Sequence, residues 1–452
     1  MKSLSKPPER AAQDAESNVD ARIRAGLLQK GWAEHGATTT VNVVASWIQR
    51  LVRATHDWPL AGSMYRSIYA VAAGSVGDLA SREPRLAGVY ARHSYALGTW
   101  EPGRSDIDIT AVWMDPNPEL VDQFYRDYAR LQRRFPMLGE VEMIDERHLA
   151  AYTTRGVSGL ESRRWKRLGG KHSFECRYAG DERMDRIRHA VSIYCHQFLP
   201  RFWEQPRQVN TLSRLTAKVA RQLDESSSKE TDPATLLGIC LHKLGQAIRK
   251  LPAADKTPMV DYCELLGTLG QPQAPAESGG SQADAAILSA IGHSGGAVRH
   301  VIVRDDFDVK SIDPRYQNAT IMNAEVFRFY LSFVDPLEHF TLLLGRSVHE
   351  GTDPLHDPFP LSKSALRETV CHYAVDLLTF PYRPGLATMT DRQFRDLLYG
   401  WFLRTLKYFE DGKFTFSYDE LRAHFGPRYE ESQARFPLLH SIAADVSSHM
   451  AR

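Results

Sequence analysis

The chain is 452 residues long, with a hydrophobic content of 43%, a charged content of 25% and a formal net charge of +1. These values are ordinary for a globular protein of two or three domains, and they exclude a global electrostatic field that would draw the whole molecule to nucleic acid or to a membrane. The five cysteines form no Cys-x-x-Cys pair, which argues against a disulfide framework or a zinc site. No apolar run is long enough for a transmembrane helix, and we expect a cytoplasmic protein without a membrane partner.

The chain begins with a polar segment, residues 1–16, whose composition predicts a disordered tail. The spacing of apolar residues then predicts three helices, over 19–30, 39–55 and 63–81. An apolar stretch follows and ends near Ser94. After it come a turn at Pro102 and Gly103 and a second apolar run, Ile107–Trp113, which predicts a strand.

Two carboxylates, Asp106 and Asp108, lie at the entrance of this predicted strand. Alternate residues of a strand point to the same face, so these two side chains are about 7 Å apart along the backbone. Carboxylates this close repel each other unless a cation lies between them. The pair therefore indicates a site for a hard divalent ion, most naturally Mg²⁺, and an ordinary exposed acid pair is the alternative.

The stretch from 89 to 113 resembles the nucleotidyltransferase superfamily that includes DNA polymerase beta, and its motif is closest in style to the antibiotic adenylyltransferases. The family pattern is Gly-Ser, a loop of about ten residues, and then Asp-x-Asp between apolar residues. Ser94 matches the serine, and Asp106 and Asp108 match the acid pair. The family glycine, which lets the backbone approach the nucleotide phosphates, is His93 here.

The resemblance implies two Mg²⁺ ions and a nucleoside triphosphate as co-substrate, with ATP favoured. Asp106 and Asp108 would bridge the two ions. Ser94, with its neighbours His93 and Tyr95, would bind the nucleotide at the serine turn. Independently of the resemblance, the basic residues Arg104, Arg167 and Lys171 are candidates for neutralising the remaining phosphate charge.

A helix beginning at Pro118 and a following alternating strand, 140–144, come next in the chain. Strand, crossover helix and strand is the order that the resemblance implies for the catalytic core. The family places its third metal-binding acid on such a strand. Glu142 fits that position best and Glu140 is the reserve, so Asp106, Asp108 and Glu142 are the expected catalytic and metal-binding residues. An exposed polar strand face is the alternative for the two glutamates.

Residues 151–190 are locally basic, with ten Arg and Lys against five acidic residues. The densest part, 163–171, contains five arginines and lysines around Trp165 and ends in Gly169, Gly170 and Lys171. Arginines beside an aromatic ring can hold a triphosphate and stack a base, or hold a nucleic-acid strand. A solvated helical face is the alternative.

The rest of the chain is predicted to be mostly helical, interrupted by a Gly-, Pro- and Ser-rich stretch. The predicted fold class is α+β: a small mixed-sheet nucleotidyltransferase core with N-terminal helices, followed by largely helical domains. The predicted divisions are a disordered tail (1–16), the core with its N-terminal helices (17–180), a helical domain (181–269), a linker or loop (270–283) and a mostly helical C-terminal domain (284–452).

The sequence thus predicts an enzyme, a metal-dependent nucleotidyltransferase that moves a nucleoside monophosphate to a hydroxyl acceptor. A small hydroxylated molecule is the favoured acceptor, while RNA, a protein side chain or a second nucleotide stay open. The alternative from another class is a catalytically silent nucleotide- or partner-binding scaffold, in which His93 would have displaced the phosphate-binding turn.

Overall fold

The structure is a computed structural model that describes residues 51–52, 54–103, 105–204, 209–226, 230, 232–251, 299–303, 320–334, 347–351, 363–415, 417–430 and 433–451. Several predicted features lie outside these residues: the tail, most of the first two helices, the linker and Arg104. The described residues belong to two compact units. One comprises those within 30–180, 374–410 and 423–452, and the other those within 181–373 and 411–422. The predicted domain limits, which run consecutively along the chain, stay predictions.

The first unit opens with an alternation of helices and strands. Its elements up to residue 180 are α1 Pro59–Arg82, β1 Leu86–Ala91, α2 His93–Leu97, β2 Ile107–Trp113, α3 Pro118–Arg134, β3 Leu138–Asp145, α4 Glu146–Thr154, α5 Gly156–Ser162 and β4 Lys166–Gly169. The four strands form one sheet in the order β3-β2-β1-β4. Strand β1 is antiparallel to β2 and β4, and β2 is parallel to β3. The prediction of a small mixed sheet in an α+β fold is therefore confirmed.

The apolar core of this unit lies on one face of the sheet. Every residue of β2 except Asp108 is buried, and the side chains on one of its two faces are Ile107, Ile109, Ala111 and Trp113. They join side chains of α1 and α3 in one cluster, and a large buried apolar side chain of this kind stabilises a fold by about 1.5–3 kcal/mol. Because the core occupies this face, the intervening residues of β2 point to the other one.

The second unit contains mostly helices and one small sheet. Its elements up to residue 351 are α6 Glu182–Ile193, a π-helical turn Tyr194–Phe198, α7 Leu199–Glu204, α8 Val209–Gln222, α9 Pro233–Arg249, β5 Arg299–Val303, β6 Thr320–Met322, α10 Ala324–Phe333 and β7 Ser347–Gly351. Strand β5 is parallel to both β6 and β7. The Tyr194 hydroxyl donates to the Ile321 carbonyl at 2.7 Å, which joins the helical part of the unit to β6.

The C-terminal elements are α11 Lys363–Thr379, two 3₁₀ turns Phe380–Tyr382 and Pro384–Thr388, α12 Asp391–Leu397, a π-helical turn Leu398–Leu403, α13 Arg404–Asp411, α14 Tyr418–Phe425 and α15 Arg435–Met450. Helix α12 begins with a reciprocal capping box between Thr390 and Gln393. In the parts of the chain that the structure describes, no helix has both the length and the apolar character needed to cross a bilayer.

Helix α1 packs directly on β4 through glycines. A Cβ atom added to Gly77 would lie 2.5 Å from the Leu168 carbonyl oxygen, and one added to Gly169 would lie 2.8 Å from the Gly77 carbonyl oxygen. A Cβ on Gly74, by contrast, would meet nothing within 4 Å.

We predict that Gly77→Ala lowers the free energy of unfolding by about 2 kcal/mol, because the added methyl overpacks a backbone contact that cannot move aside. Gly74→Ala, in the same helix, should raise it by roughly 0.5–1 kcal/mol through helix propensity alone. Urea unfolding followed by circular dichroism measures both. Equal stability of the two variants would contradict this packing.

Candidate functional site

The face of the sheet opposite the core carries the charged residues of β2 and β3. Thr110 pairs in register with Glu142, and parallel partners project to the same face. Asp108 lies two residues before Thr110, and Glu140 two residues before Glu142. The structure therefore brings Asp108 and both predicted third-acid candidates to one polar face.

The acid pair lies against a glycine of β3. A Cβ added to Gly139 would lie 2.1 Å from Oδ1 of Asp108 and 3.0 Å from Cβ of Asp106. The register of β2 and β3 shifts here, between the pairs Ile107–Leu138 and Ile109–Val141, and Oδ1 of Asp108 accepts the Glu140 backbone N–H at 3.1 Å. The absence of a side chain at position 139 leaves room for the Asp108 carboxylate and for Cβ of Asp106 beside β3.

The loop that leads to Asp106 is fixed by α1. The Tyr69 hydroxyl donates to the Ser105 carbonyl at 2.8 Å and accepts the Gly103 backbone N–H at 3.3 Å. The Tyr69 ring also stacks on Trp100, with centroids 4.4 Å apart. Burial raises the pKa of Tyr69 and Asp106 raises it further, against the hydrogen bond from Gly103, so the phenol stays protonated and can donate.

A buried arginine joins the two glutamates. The Arg92 guanidinium is 7% exposed and donates to Glu142 at 2.5 Å and to Glu140 at 2.9 Å. Burial alone would lower the pKa of Arg92, but the attraction of Glu142 and then Glu140 outweighs it and raises the pKa. The Arg92 backbone N–H also donates to the Asp108 carbonyl at 2.8 Å, which ties this cation to the acid strand.

Glu142 is held on one of its two oxygens. Oε2 accepts from Arg92 and also from the Tyr152 hydroxyl of α4, at 2.6 Å. Burial and Glu142 raise the pKa of Tyr152, so its phenol remains a donor. A ligand that shares Glu142 with these two donors would therefore meet Oε1.

His93, which stands where the motif that the sequence resembles has glycine, adopts a backbone conformation that glycine favours. Its φ is +52°, in the left-handed region. Its Nδ1 lies 3.2 Å from Oε1 of Glu161, and although burial lowers the pKa of His93, the charge and hydrogen bond of Glu161 raise it overall. The contribution of this pair to stability is present below the ordinary histidine pKa of about 6.5 and is lost as pH rises through the raised value.

The other predicted nucleotide-binding residues lie in different surroundings. Ser94 is partly buried in α2, next to His93. Tyr95 is 7% exposed and belongs to the apolar core cluster. Arg167 and Lys171 are exposed, and Arg167 pairs in register with Tyr90 at the sheet edge, where it donates to the Gly170 carbonyl.

Sequence reasoning gave no signal for one carboxylate near this face. Burial raises the pKa of Asp376, in α11, to about 6; Arg383 opposes the shift, and Glu142 and Glu140 add to it. Asp376 is more than 230 residues from Glu142 in the chain. A helical residue with no motif around it can be assigned to the site only from tertiary structure.

The left-handed conformation of residue 93 is tested by comparing two variants that both remove the imidazole. We predict that His93→Gly is more stable than His93→Ala by about 1 kcal/mol, because glycine adopts positive φ without the cost that a Cβ brings. Ala96→Gly in the same short helix should lower stability by roughly 0.5–1 kcal/mol. Thermal unfolding measures all three, and a His93→Ala variant at least as stable as His93→Gly would contradict the conformation.

Comparison with known proteins adds no further assignment. No protein-family model, no curated protein and no solved structure matches the chain. The function is therefore proposed from the side chains around Asp106, Asp108 and Glu142.

Proposed function

We propose that this chain is a metal-dependent nucleotidyltransferase that transfers a nucleoside monophosphate from a nucleoside triphosphate, with ATP favoured, to a hydroxyl acceptor. The observation that supports the proposal is that Asp106, just before β2, and Asp108, within it, both have side-chain atoms beside Gly139 of β3. Strand β2, helix α3 and strand β3 also follow each other in the order strand, crossover helix and strand that the resemblance implies.

The acid pair fits Mg²⁺ by its donor chemistry. Asp106 is exposed and Asp108 is partly buried, so the pair offers carboxylate oxygens at the edge of the polar face. Oxygen ligands that leave room for water and phosphate are what Mg²⁺ prefers. When bound, two such ions would neutralise charge on the reacting phosphate and on the leaving pyrophosphate.

The neighbouring side chains have complementary roles in this proposal. Ser94 and the basic residues Arg167 and Lys171 would hold the outer phosphates, and His93 would donate a hydrogen bond to phosphate. Arg92 positions Glu142 and partly neutralises the acidic face. Tyr95 would act only as packing beneath the serine turn, because its ring is in the core.

The reaction itself requires a proton acceptor for the attacking hydroxyl. The acceptor oxygen forms a bond to the α-phosphorus, the bond from that phosphorus to the β-phosphate oxygen breaks, and pyrophosphate leaves. The hydroxyl proton passes to a carboxylate. Glu142, through Oε1, is the first candidate. Asp376 is the second, because a pKa of about 6 suits a group that accepts a proton near neutral pH.

The alternative is a catalytically silent nucleotide- or partner-binding scaffold, and one observation favours it. Glu140 and Glu142 already share a buried cation, Arg92, so the charge of the third predicted ligand is balanced without a metal ion. A scaffold of this kind would bind a triphosphate or a partner without releasing pyrophosphate.

We predict Mg²⁺-dependent release of pyrophosphate when the full chain is incubated with each labelled triphosphate and the small-molecule, RNA and protein fractions of a cell extract. Asp106→Asn and Asp108→Asn should each lower the rate at least about 100-fold, because they remove charge from the site where it is needed in the transition state. The fraction that carries the label identifies the acceptor.

Asp127→Asn is the matched control, because Asp127 lies on the outer side of α3 and pairs with Arg130 and Gln123 there. Its rate should equal that of the unmodified chain. Triphosphate binding without any pyrophosphate release would favour the scaffold, and release that survives both Asp106→Asn and Asp108→Asn would contradict the proposed site.

A further inference from the structure

A second group of metal-binding side chains lies at the other end of the sheet. Asp145, the last residue of β3, pairs in register with Trp113, which is five residues beyond Asp108 on β2. At 3.3 Å per residue this separates the two places by about 16 Å. His148 lies in the first turn of α4 and His440 in α15. One ligand atom from each of Asp145, His148 and His440 lies within 4.8 Å of the other two.

The group is largely shielded from water. Asp145 is 0% exposed and His148 is 3% exposed. Within the residues that the structure describes, Nε2 of His148 is buried and has no hydrogen-bond partner. Leaving a buried polar atom unsatisfied costs about 1–3 kcal/mol, so an atom of this kind calls for a ligand.

Hydrogen bonds fix the orientation of His440. Its Nδ1 lies 2.8 Å from the Tyr382 hydroxyl, and its Nε2 lies 2.9 Å from Nη2 of Arg147. A guanidinium only donates, so Nε2 of His440 carries the lone pair and Nδ1 carries the proton, which it donates to Tyr382. A hydrogen bond on the far nitrogen is the usual device that orients a metal-binding histidine.

Asp145 is oriented in a similar way. Its Oδ1 accepts the Arg147 backbone N–H at 2.9 Å, and its Oδ2 lies 3.8 Å from Nε2 of His440. The Arg147 guanidinium now occupies this carboxylate, because its Nη2 lies 2.5 Å from Oδ2 of Asp145 and its Nε donates to both oxygens at 3.0 Å. The Arg147 side chain is 55% exposed and already lies 3.7 Å from Oδ1 of Asp115, so its guanidinium has a second, exposed partner.

We propose that Oδ2 of Asp145, Nε2 of His148 and Nε2 of His440 bind one Zn²⁺ ion, and that the Arg147 guanidinium turns toward Asp115 when the ion enters. Two imidazoles and one carboxylate are a ligand set that suits zinc, and three protein ligands leave a fourth position for water. The ion joins the C-terminal helix α15 to the end of β3. The site shares no residue with the proposed nucleotidyltransferase site.

Titration of the metal-free full chain with Co²⁺, a coloured substitute for Zn²⁺, tests the proposal. The chain used carries Asp106→Asn and Asp108→Asn, so that the acid pair does not contribute. We expect one equivalent of Co²⁺ with the visible bands of a four-coordinate ion, displaced by Zn²⁺. His148→Ala and His440→Gln should each weaken binding at least about 100-fold. Arg147→Gln should strengthen it about 10-fold, because the competing cation is removed.

His424→Ala is the matched control, because His424 also lies next to a carboxylate, with its Nε2 3.0 Å from Glu410. It should leave Co²⁺ binding unchanged. Circular dichroism establishes that each variant is folded. If His148→Ala does not fold, His440→Gln still tests the site, because His440 is the less buried ligand. Absence of the four-coordinate bands would overturn the proposal, and so would equal Co²⁺ affinity of the Asp106→Asn/Asp108→Asn chain with and without His440→Gln. Unchanged Co²⁺ affinity in Arg147→Gln would overturn the role given to Arg147.

Discussion

The polar face of the four-stranded sheet depends on the ion pairs of Arg92. The buried Arg92 guanidinium donates hydrogen bonds to Glu140 and Glu142. The backbone N–H of Arg92 donates to the carbonyl of Asp108 and so joins β1 to the strand of the acid pair. Removing one member of a buried ion pair commonly costs 3–5 kcal/mol, because the remaining charge is left without compensation. Arg92 therefore sets the position of the glutamates before any ligand arrives, and a bound metal ion has to share Glu142 with it.

The acid pair depends in turn on backbone geometry. Gly139 leaves room beside β3 for the Asp108 carboxylate and for Cβ of Asp106, and Tyr69 holds the preceding loop through two backbone hydrogen bonds. The core on the opposite face, formed with α1 and α3, keeps these strands in register. The position of Asp106 and Asp108 is thus a consequence of packing that extends well beyond the motif.

Local patterns in the sequence were enough for much of this architecture. The helix expected to begin at Pro118 is α3, the alternation over 140–144 is within β3, and the apolar run after the acid pair is β2. Proline at a helix start, strict alternation and a short apolar run are signals that neighbouring residues carry by themselves. The small mixed sheet in an α+β fold, by contrast, was implied by the resemblance of the motif to the nucleotidyltransferase superfamily.

Features that depend on distant residues were not predictable in this way. Nothing in the sequence indicated that Arg92 would be buried between two glutamates or that Tyr95 would join the core. Nor did it indicate that Glu142 would raise the pKa of Asp376, or that His440 would lie beside Asp145. These positions depend on tertiary contacts between segments more than 40 residues apart. The left-handed φ of His93, in contrast, agrees with the glycine that the motif has at that position.

In the proposed function, Asp106 and Asp108 gather divalent ions around a triphosphate. Anomalous diffraction from crystals grown with Mn²⁺ and a non-hydrolysable triphosphate would locate these ions. We expect an anomalous peak at the carboxylates of Asp106 and Asp108, with the outer phosphates extending toward Ser94. A triphosphate bound elsewhere, or manganese absent from the two aspartates while the nucleotide is present, would contradict it.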